Sequence, residues 1–506
     1  MTSALTPARG GRPRRVLRMA AAAVAISLIA AGCGGRSEQD FAAAAGGNSA
    51  PDNLGVESTI TAPDAPSGKA QAVPRASAAT VPDVANPGTS TAAPAGNVKK
   101  PKQAGDKKPT VNQSAAKPAK VSVAKTNLAA TAARGLPAIT NCKGATGTPV
   151  LLGNIGNYAG VMGGNFISGL QSLQLFVKVL NDCNGLNGHP IQLFVADDQG
   201  DPTVALTHAK EMVESTKVIA FVGNFVFLSW SGFMNYLDSK GIPMIGGDAY
   251  NDIWYRLPMA FPTHPDVIAQ ITALVRSVTP KDRPFNGGSI YCNEQPICEK
   301  YAKAGAAAMK ANGGSVVVEQ SISLTQPSFI AQCNSEKQTK AEFVISGMVP
   351  KAVERWARNC ESIDYKPHVL TIALGAQDTM KDLPSLGGMD IGVGEFGWTD
   401  TSLPGTKAFH DLVAKYNPRL QLGGAASVAW VAGLVLQEAG KALGAQPTTA
   451  DLLKGLYAIQ NNNFGGLSPT ITYKPGPHPS SGFPQCVFLM GIRGGQWQSI
   501  QGGQCV

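Results

Sequence analysis

From Pro149 to Leu374 short apolar runs alternate with longer segments of helical spacing, and this alternation constrains the fold more than any other feature. "PVLLGNIG" (149–156) is an apolar burst ending in glycine. "FISGLQSLQLFVKVLND" (166–182) carries apolar residues at helical spacing and stops at "CNGLNG", where glycines end helices. "IQLFVADD" (191–198) and "PTVALTHAKEMVES" (202–215) repeat the pair; "VIAFVGN" (218–224), a helix through "SGFMNYLDSKG" and "IPMIGG" (242–247) continue it. A second round opens with "PDVIAQITALVRSV" (265–278) and runs through "GGSIYC", "CEKYAKAGAAAMKANG", "SVVVEQS", "AEFVISGM", "KAVERWARNCESI" and "HVLTIAL". Such a pattern predicts α/β architecture, parallel sheets with helices on both faces. Two rounds in about 370 residues predict two doubly wound parallel-sheet lobes, since a single hydrophobic core rarely grows so large. Ligands of such sheets gather at the carboxyl ends of the strands, so the cleft between lobes is the expected site.

The N-terminal part is of a different kind. Arg9, Arg12, Arg14, Arg15 and Arg18 precede an apolar run, Met19–Ala31, broken only by Ser27, and no acidic residue occurs before Cys33. A basic stretch followed by a short apolar core reads as a secretory signal, and the run is too short to span a bilayer, which takes about 20 residues. Ala30-Ala31-Gly32-Cys33 resembles a bacterial lipobox, which implies lipidation of Cys33 as the new N-terminus; a plain signal with a chance cysteine is the alternative. Residues 34–135 are mostly Ala, Pro, Gly, Ser and Thr, with Phe41 nearly alone as an aromatic. Such a chain cannot bury enough apolar surface to offset its ordering entropy and is expected to be a disordered linker. As a flexible coil it would reach roughly 50–60 Å, enough to lift a folded head off a membrane.

The formal charge of +9 belongs to these two segments. Nine of the linker's Lys/Arg lie between Lys99 and Arg134, against one acid, Asp106, whereas residues 136–506 carry 26 Lys/Arg and 27 Asp/Glu. A nucleic-acid footprint needs basic charge clustered on the folded part, so nucleic acid is excluded as a partner.

"VKVLNDCNGLNGHPIQLFVADDQGDPTVALTHAKEMV" (177–213), then "VIAFVGN" and "KGIPMIGGDAYN", and finally "FHDLVAKY", "AASVAWVAGLVLQEAGKAL" and "GLSPTITY", resemble in order and spacing the type I periplasmic binding proteins of the leucine/isoleucine/valine-binding group. The resemblance spans about residues 148–500. It implies two lobes joined by three crossovers that close on a small solute, without a cofactor. Lipid-anchored relatives pass that solute to an ABC permease on the extracytoplasmic face of the cell membrane. The implied organisation is a signal at 1–32, an anchored linker at 33–135, a first lobe at 136–263 completed at 397–462, and a second at 264–396 completed at 463–506, working as a monomer.

The group's ligand contacts carry over unevenly. Where hydroxylated residues hold an amino-acid carboxylate, this chain has Phe225-Val226-Phe227-Leu228-Ser229; where a Ser-Pro-Ala-Ala-Thr stretch follows the next strand, it has Gly246-Gly247-Asp248-Ala249-Tyr250. The second-lobe tyrosine falls near Ile297 and the acidic amine-binding residue near Gln377. These departures argue against a branched-chain amino acid. The expected lining is Tyr158, Phe227, Ser229, Asp248, Tyr250, Ile297, Met348 and Gln377, an aromatic cleft with one negative charge, suited to a cationic, aromatic or sugar-like solute. Gly246 and Gly247 are expected to let the backbone approach that solute. Ordinary core is the competing role for Phe225, Phe227 and Trp230.

Apart from Cys33 there are eight cysteines, an even number, which in an exported chain predicts disulfides. Cys142 and Cys183 flank the first strand–helix unit, Cys292 and Cys298 bracket a strand-to-helix loop, and Cys333 and Cys360 sit on consecutive helices. Sequential pairing follows, with Cys486–Cys505 the fourth bridge. The sequence has no paired Cys-x-x-Cys and its six His are scattered, so no metal site is expected. Asp197, Asp198 and Asp201 are expected in a solvated loop rather than a metal cluster. Gly-x-Ser-x-Gly, His-Glu-x-x-His and Gly-x-x-x-x-Gly-Lys-Ser/Thr are all absent, which argues against an enzyme. The expected function is solute capture for ABC import; the alternatives are a ligand sensor of the same fold feeding a signalling protein, and a secreted hydrolase.

Overall fold

The computed structural model describes residues 142–162 and 164–505. The signal, Cys33 and the linker expected before residue 136 lie outside the described residues. Among the described residues no helix is long and apolar enough to cross a membrane.

The alternation folds into two sheets. The first holds β1 (Val150–Gly156), β2 (Ile191–Asp197), β3 (Ala220–Asn224), β4 (Met244–Gly247) and β5 (Ala260–Phe261) in the order β2-β1-β3-β4-β5, every pairing parallel. Between them run α1 (Ile167–Asn181), α2 (Pro202–Lys210) and α3 (Trp230–Ser239). Asp201 starts α2 by accepting from the N–H groups of Thr203 and Val204, with Pro202 at the first helical position. The helix expected to continue to residue 215 instead ends in a π-helical segment, Glu211–Thr216.

The second sheet holds β6 (Phe285–Cys292), β7 (Gly314–Ile322), β8 (Phe343–Gly347), β9 (His368–Ile372), β10 (Asp390–Val393), β11 (Cys486–Arg493) and β12 (Gln496–Cys505), in the order β12-β11-β10-β9-β8-β6-β7. Its helices are α4 (Val267–Val278), α5 (Pro296–Ala311), α6 (Ile330–Gln338) and α7 (Pro350–Ser362). Five strands are parallel, but β11 runs antiparallel to both β10 and β12, so this sheet is mixed rather than purely parallel. The cause is local. Arg493 pairs with Gln496 across a two-residue turn, and Gly494 and Gly495 take φ of +59° and +72°, the left-handed pair a tight hairpin requires.

After β10 the chain returns to the first sheet through α8 (Pro404–Tyr416), α9 (Gly424–Gly440) and α10 (Thr449–Tyr457). Nearly every residue of α9 is buried, as its Ala- and Val-rich sequence demands. It lies against α1, where Trp430 meets Phe176 edge to face at 5.0 Å and the Ser172 hydroxyl donates to the Ala426 carbonyl at 2.8 Å. The three links between sheets meet in one place. Thr263 donates to Glu395 Oε1 at 2.9 Å, Phe396 N–H to the Leu467 carbonyl at 3.0 Å, and the Tyr473 hydroxyl to the Pro262 carbonyl at 2.8 Å.

Bridges join Cys142 to Cys183, Cys292 to Cys298 and Cys333 to Cys360. Cys486 and Cys505 occupy opposed positions of β11 and β12, and their side chains lie outside the described ones.

Candidate functional site

The carboxyl ends of β3 and β4 in one sheet face those of β6, β8 and β9 in the other, and the loops there enclose a cleft of about 350 Å³ counting its open mouth. The enclosed part has room for only a water or two, so a ligand must spread the lobes to enter. Phe227 and Tyr250 form the wall from the first lobe, their rings edge to face with centroids 5.1 Å apart. The second lobe supplies Ile297, Met348, Tyr301, Ser346 and the Cys292–Cys298 bridge. No Asp, Glu, Lys, Arg or His is among the described residues lining the cleft.

Four of the eight expected residues, Phe227, Tyr250, Ile297 and Met348, therefore share one cleft. The other four lie outside its lining, each engaged elsewhere. Tyr158 donates to Asn154 Oδ1 at 2.7 Å. The Ser229 hydroxyl donates to Asp198 Oδ2 at 2.6 Å and accepts from Asn157 Nδ2 at 3.0 Å, tying the ends of β1 and β2 to the loop after β3. Gln377 donates to Glu354 Oε1 at 2.6 Å and to Thr379 Oγ1 at 3.0 Å.

Asp248 is 1% exposed and Oδ2 accepts from the Val226 N–H at 2.8 Å. The Tyr250 N–H and the Trp254 indole lie near the carboxyl group, but Oδ1 makes no hydrogen bond of good geometry. Burial pushes its pKa up to about 7 against the opposing pull of those donors. The carboxylate thus holds the loop that carries Phe227. Gly246 and Gly247 serve packing rather than ligand approach. A Cβ at Gly246 would stand 2.5 Å from that of Ala432 on α9, and one at Gly247 would strike the Asn224 carbonyl oxygen.

Tyr301 and Ser346 have no counterpart in the sequence reading. Tyr301 follows Ile297 by one helical turn on α5, a spacing that puts both on one face. Ser346 is the penultimate residue of β8, and nothing in its local sequence separates it from a core serine.

Two contacts bridge the lobes at the rim. Asn165 Oδ1 accepts from the Lys351 N–H of α7 at 3.1 Å, and the Trp230 indole donates to Gln295 Oε1 at 3.3 Å.

The three acids after β2 do not converge on one point. Asp197 accepts from the Tyr158 and Gln199 N–H groups and Asp201 caps α2, while Asp198 is fully buried rather than solvated. Among the described residues one group of possible metal ligands comes together, Cys333, Glu336 and Cys360. The two cysteines are bonded to each other, and Glu336 already accepts from Trp356 Nε1 at 3.2 Å and Gln320 Nε2 at 2.8 Å. Such a set does not suit a metal.

Two α/β lobes joined by three crossovers, with a cleft between their strand ends, make the architecture of a two-lobed binding protein. The periplasmic binding protein family matches residues 149–496, and the chain belongs to that family of solute-binding proteins. No curated protein matches the sequence. Among solved structures, the fatty acid ABC transporter substrate-binding protein of Thermomonospora curvata is similar at TM-score 0.62 and 16% identity, covering 72% of this chain and 95% of that one. A possible leucine/isoleucine/valine-binding protein from Rhodopirellula baltica gives TM-score 0.61 at 14% identity, covering 70% and 97%. A solute-binding protein of an R. palustris ABC transporter, in complex with benzoate, gives 0.56 at 16%, covering 71% and 97%.

Proposed function

We propose that this protein captures a small molecule with an apolar body between its lobes and delivers it to an ABC import permease, while a lipid on Cys33 and the 33–135 linker tether it to the extracytoplasmic face of the membrane. The observation that carries the reading is the cleft, lined from both strand edges by Phe227, Tyr250, Ile297 and Met348 and by no charged side chain. Burying an apolar body against these groups is favourable by about 25 cal/mol per Å², whereas a solute polar or charged along its whole body would be desolvated there with too few partners. Of the cationic, aromatic or sugar-like solutes expected from the sequence, and the small polar amino acid or related solute implied by the resemblance, this keeps the aromatic kind, because Asp248, the one charge assigned to the cleft, serves the loop instead. The fatty acid and benzoate named for two of the similar structures are ligands of this apolar kind. The family match and the lipobox-like leader support a transport receptor, and one chain supplies both walls of the cleft, as a monomer requires.

Thermal melting of the full chain against amino acids, fatty and aromatic acids, sugars and polyamines tests it. A ligand at 100 times its dissociation constant should stabilise the fold by about 2.7 kcal/mol. Stabilisation by sugars or polyamines alone, or by nothing in the set, would overturn the reading.

A further inference from the structure

Two polar groups in the cleft make no hydrogen bond of good geometry. Ser346 is 0% exposed and its Oγ has no hydrogen-bond partner; Tyr301 is 3% exposed, and its hydroxyl lies near Thr371 and Ile372 without a well-formed bond. Thr371 donates its hydroxyl hydrogen to the Ser346 carbonyl at 2.7 Å, which leaves it only an acceptor to offer Tyr301. A buried hydroxyl without a partner destabilises the empty protein, and both of these line the same cleft. Unpaired polar groups converging on an otherwise apolar surface are what a site holds in reserve for its ligand.

The surrounding field selects the ligand's head. α5, of 16 residues, and α7, of 13, both begin at the cleft, with Ile297 and Cys298 in the first turn of one and Val349 as the cap of the other. Neither cap residue bonds its own helix through a side chain. Asn165 takes one N–H of α7, and Glu299 in the first turn of α5 is exposed and paired with Lys303, so the dipoles of both helices still present positive ends there. On the opposite lobe, Asp198 and Asp248 are buried, and Asp248 holds the loop that carries Phe227. An anionic head is therefore favoured at the second lobe and disfavoured at the first; an ammonium group would meet positive helix ends and no carboxylate in the lining.

Resting on the reading above, we propose that the ligand is a monocarboxylic acid whose carboxylate accepts from Ser346 Oγ and Tyr301 Oη, with its apolar body lying against Phe227 and Tyr250. The head is thus held by the second lobe, the reverse of the arrangement implied by the resemblance to amino-acid-binding relatives.

The test uses the full chain with benzoate, 4-methylpentanoate, the amides of both acids, and leucine, which is 4-methylpentanoate with an added ammonium. Titration calorimetry should find at least one acid bound, with its amide, and leucine, at least tenfold weaker. Ser346→Ala and Tyr301→Phe should each weaken the acid by about tenfold or more, the loss expected for one charge-assisted hydrogen bond. Because each variant removes an unpaired group, the melting temperature of the empty protein should stay level or rise. An acid that binds both variants as it binds the parent, an amide or leucine that binds as tightly, or a fall of several degrees in the melting temperature of both empty variants would each overturn this inference alone. Failure of these probes and of the wider set together would overturn the functional reading as well.

Discussion

The Asp248 carboxylate accepts the Val226 backbone N–H at 2.8 Å, 22 residues away in sequence, and so fixes the loop that places Phe227 in the cleft. A residue at a strand end that reads as a ligand contact is in this fold the support of a side chain that lines the cleft. Replacing Asp248 with Ala leaves the Val226 N–H buried and unpaired, a cost of about 1–3 kcal/mol. Chemical denaturation should show that loss for Asp248→Ala and a smaller one for Asp248→Asn, which keeps an acceptor. Unchanged stability in the Ala variant would show that the bond contributes nothing.

The Cys292–Cys298 bridge closes the loop between β6 and α5 and lines the cleft beside Ile297. The ring is short, so its effect on global stability should be modest and its effect on the placement of Ile297 larger. The Cys292→Ser/Cys298→Ser double variant is expected to bind the ligand several-fold more weakly by calorimetry while its melting temperature shifts by only a few degrees.

Asn165 and Trp230 reach across the cleft to the first turn of α7 and the cap of α5. Asn165→Ala removes a bond made only when the lobes are together, and so favours the open form. Ligand affinity should fall by about fivefold to tenfold, chiefly through faster dissociation in stopped-flow measurements. An unaltered off-rate would mean that this contact does not hold the lobes closed.

Glu336 lies fully buried beneath the Cys333–Cys360 bridge, and burial raises its pKa from 4.5 to about 8. The folded state thus holds a proton that the unfolded state releases between pH 4.5 and pH 8. Native binding exceeds unfolded binding there, so this group's contribution to stability is full below pH 4.5 and is lost as pH rises to 8. Glu336→Gln should flatten the decline over that window and raise the melting temperature at pH 8 by a few degrees. Parallel stability–pH curves for variant and parent would contradict it.

If Cys33 carries the lipid, Cys33→Ala should leave the chain uncleaved or release it from the membrane. Cell fractionation and the mass of the mature protein check this; an unchanged mass in the membrane fraction would exclude the lipobox.

The alternation of strand and helix was legible because it is written in near neighbours, apolar spacings of two or 3.6 residues that each segment carries by itself. The same locality made the pairings of Cys142, Cys292 and Cys333 readable, since each joins parts of one strand–helix unit or of adjacent helices. Tertiary structure alone decided which side chains meet in the cleft. Phe227 and Tyr250 come from one sheet, Ile297, Ser346 and Met348 from another, and whether each faces the gap depends on loop paths and competing bonds. Asp248, Ser229 and Gln377 found protein partners, whereas Ser346 and Tyr301, unremarkable in sequence, found none. The antiparallel pairing of β11 with β10 and the placement of α9 on α1 were also settled at this level. Both join segments far apart in the chain, and the energy that fixes them is the burial of one surface against another rather than the conformational preference of either.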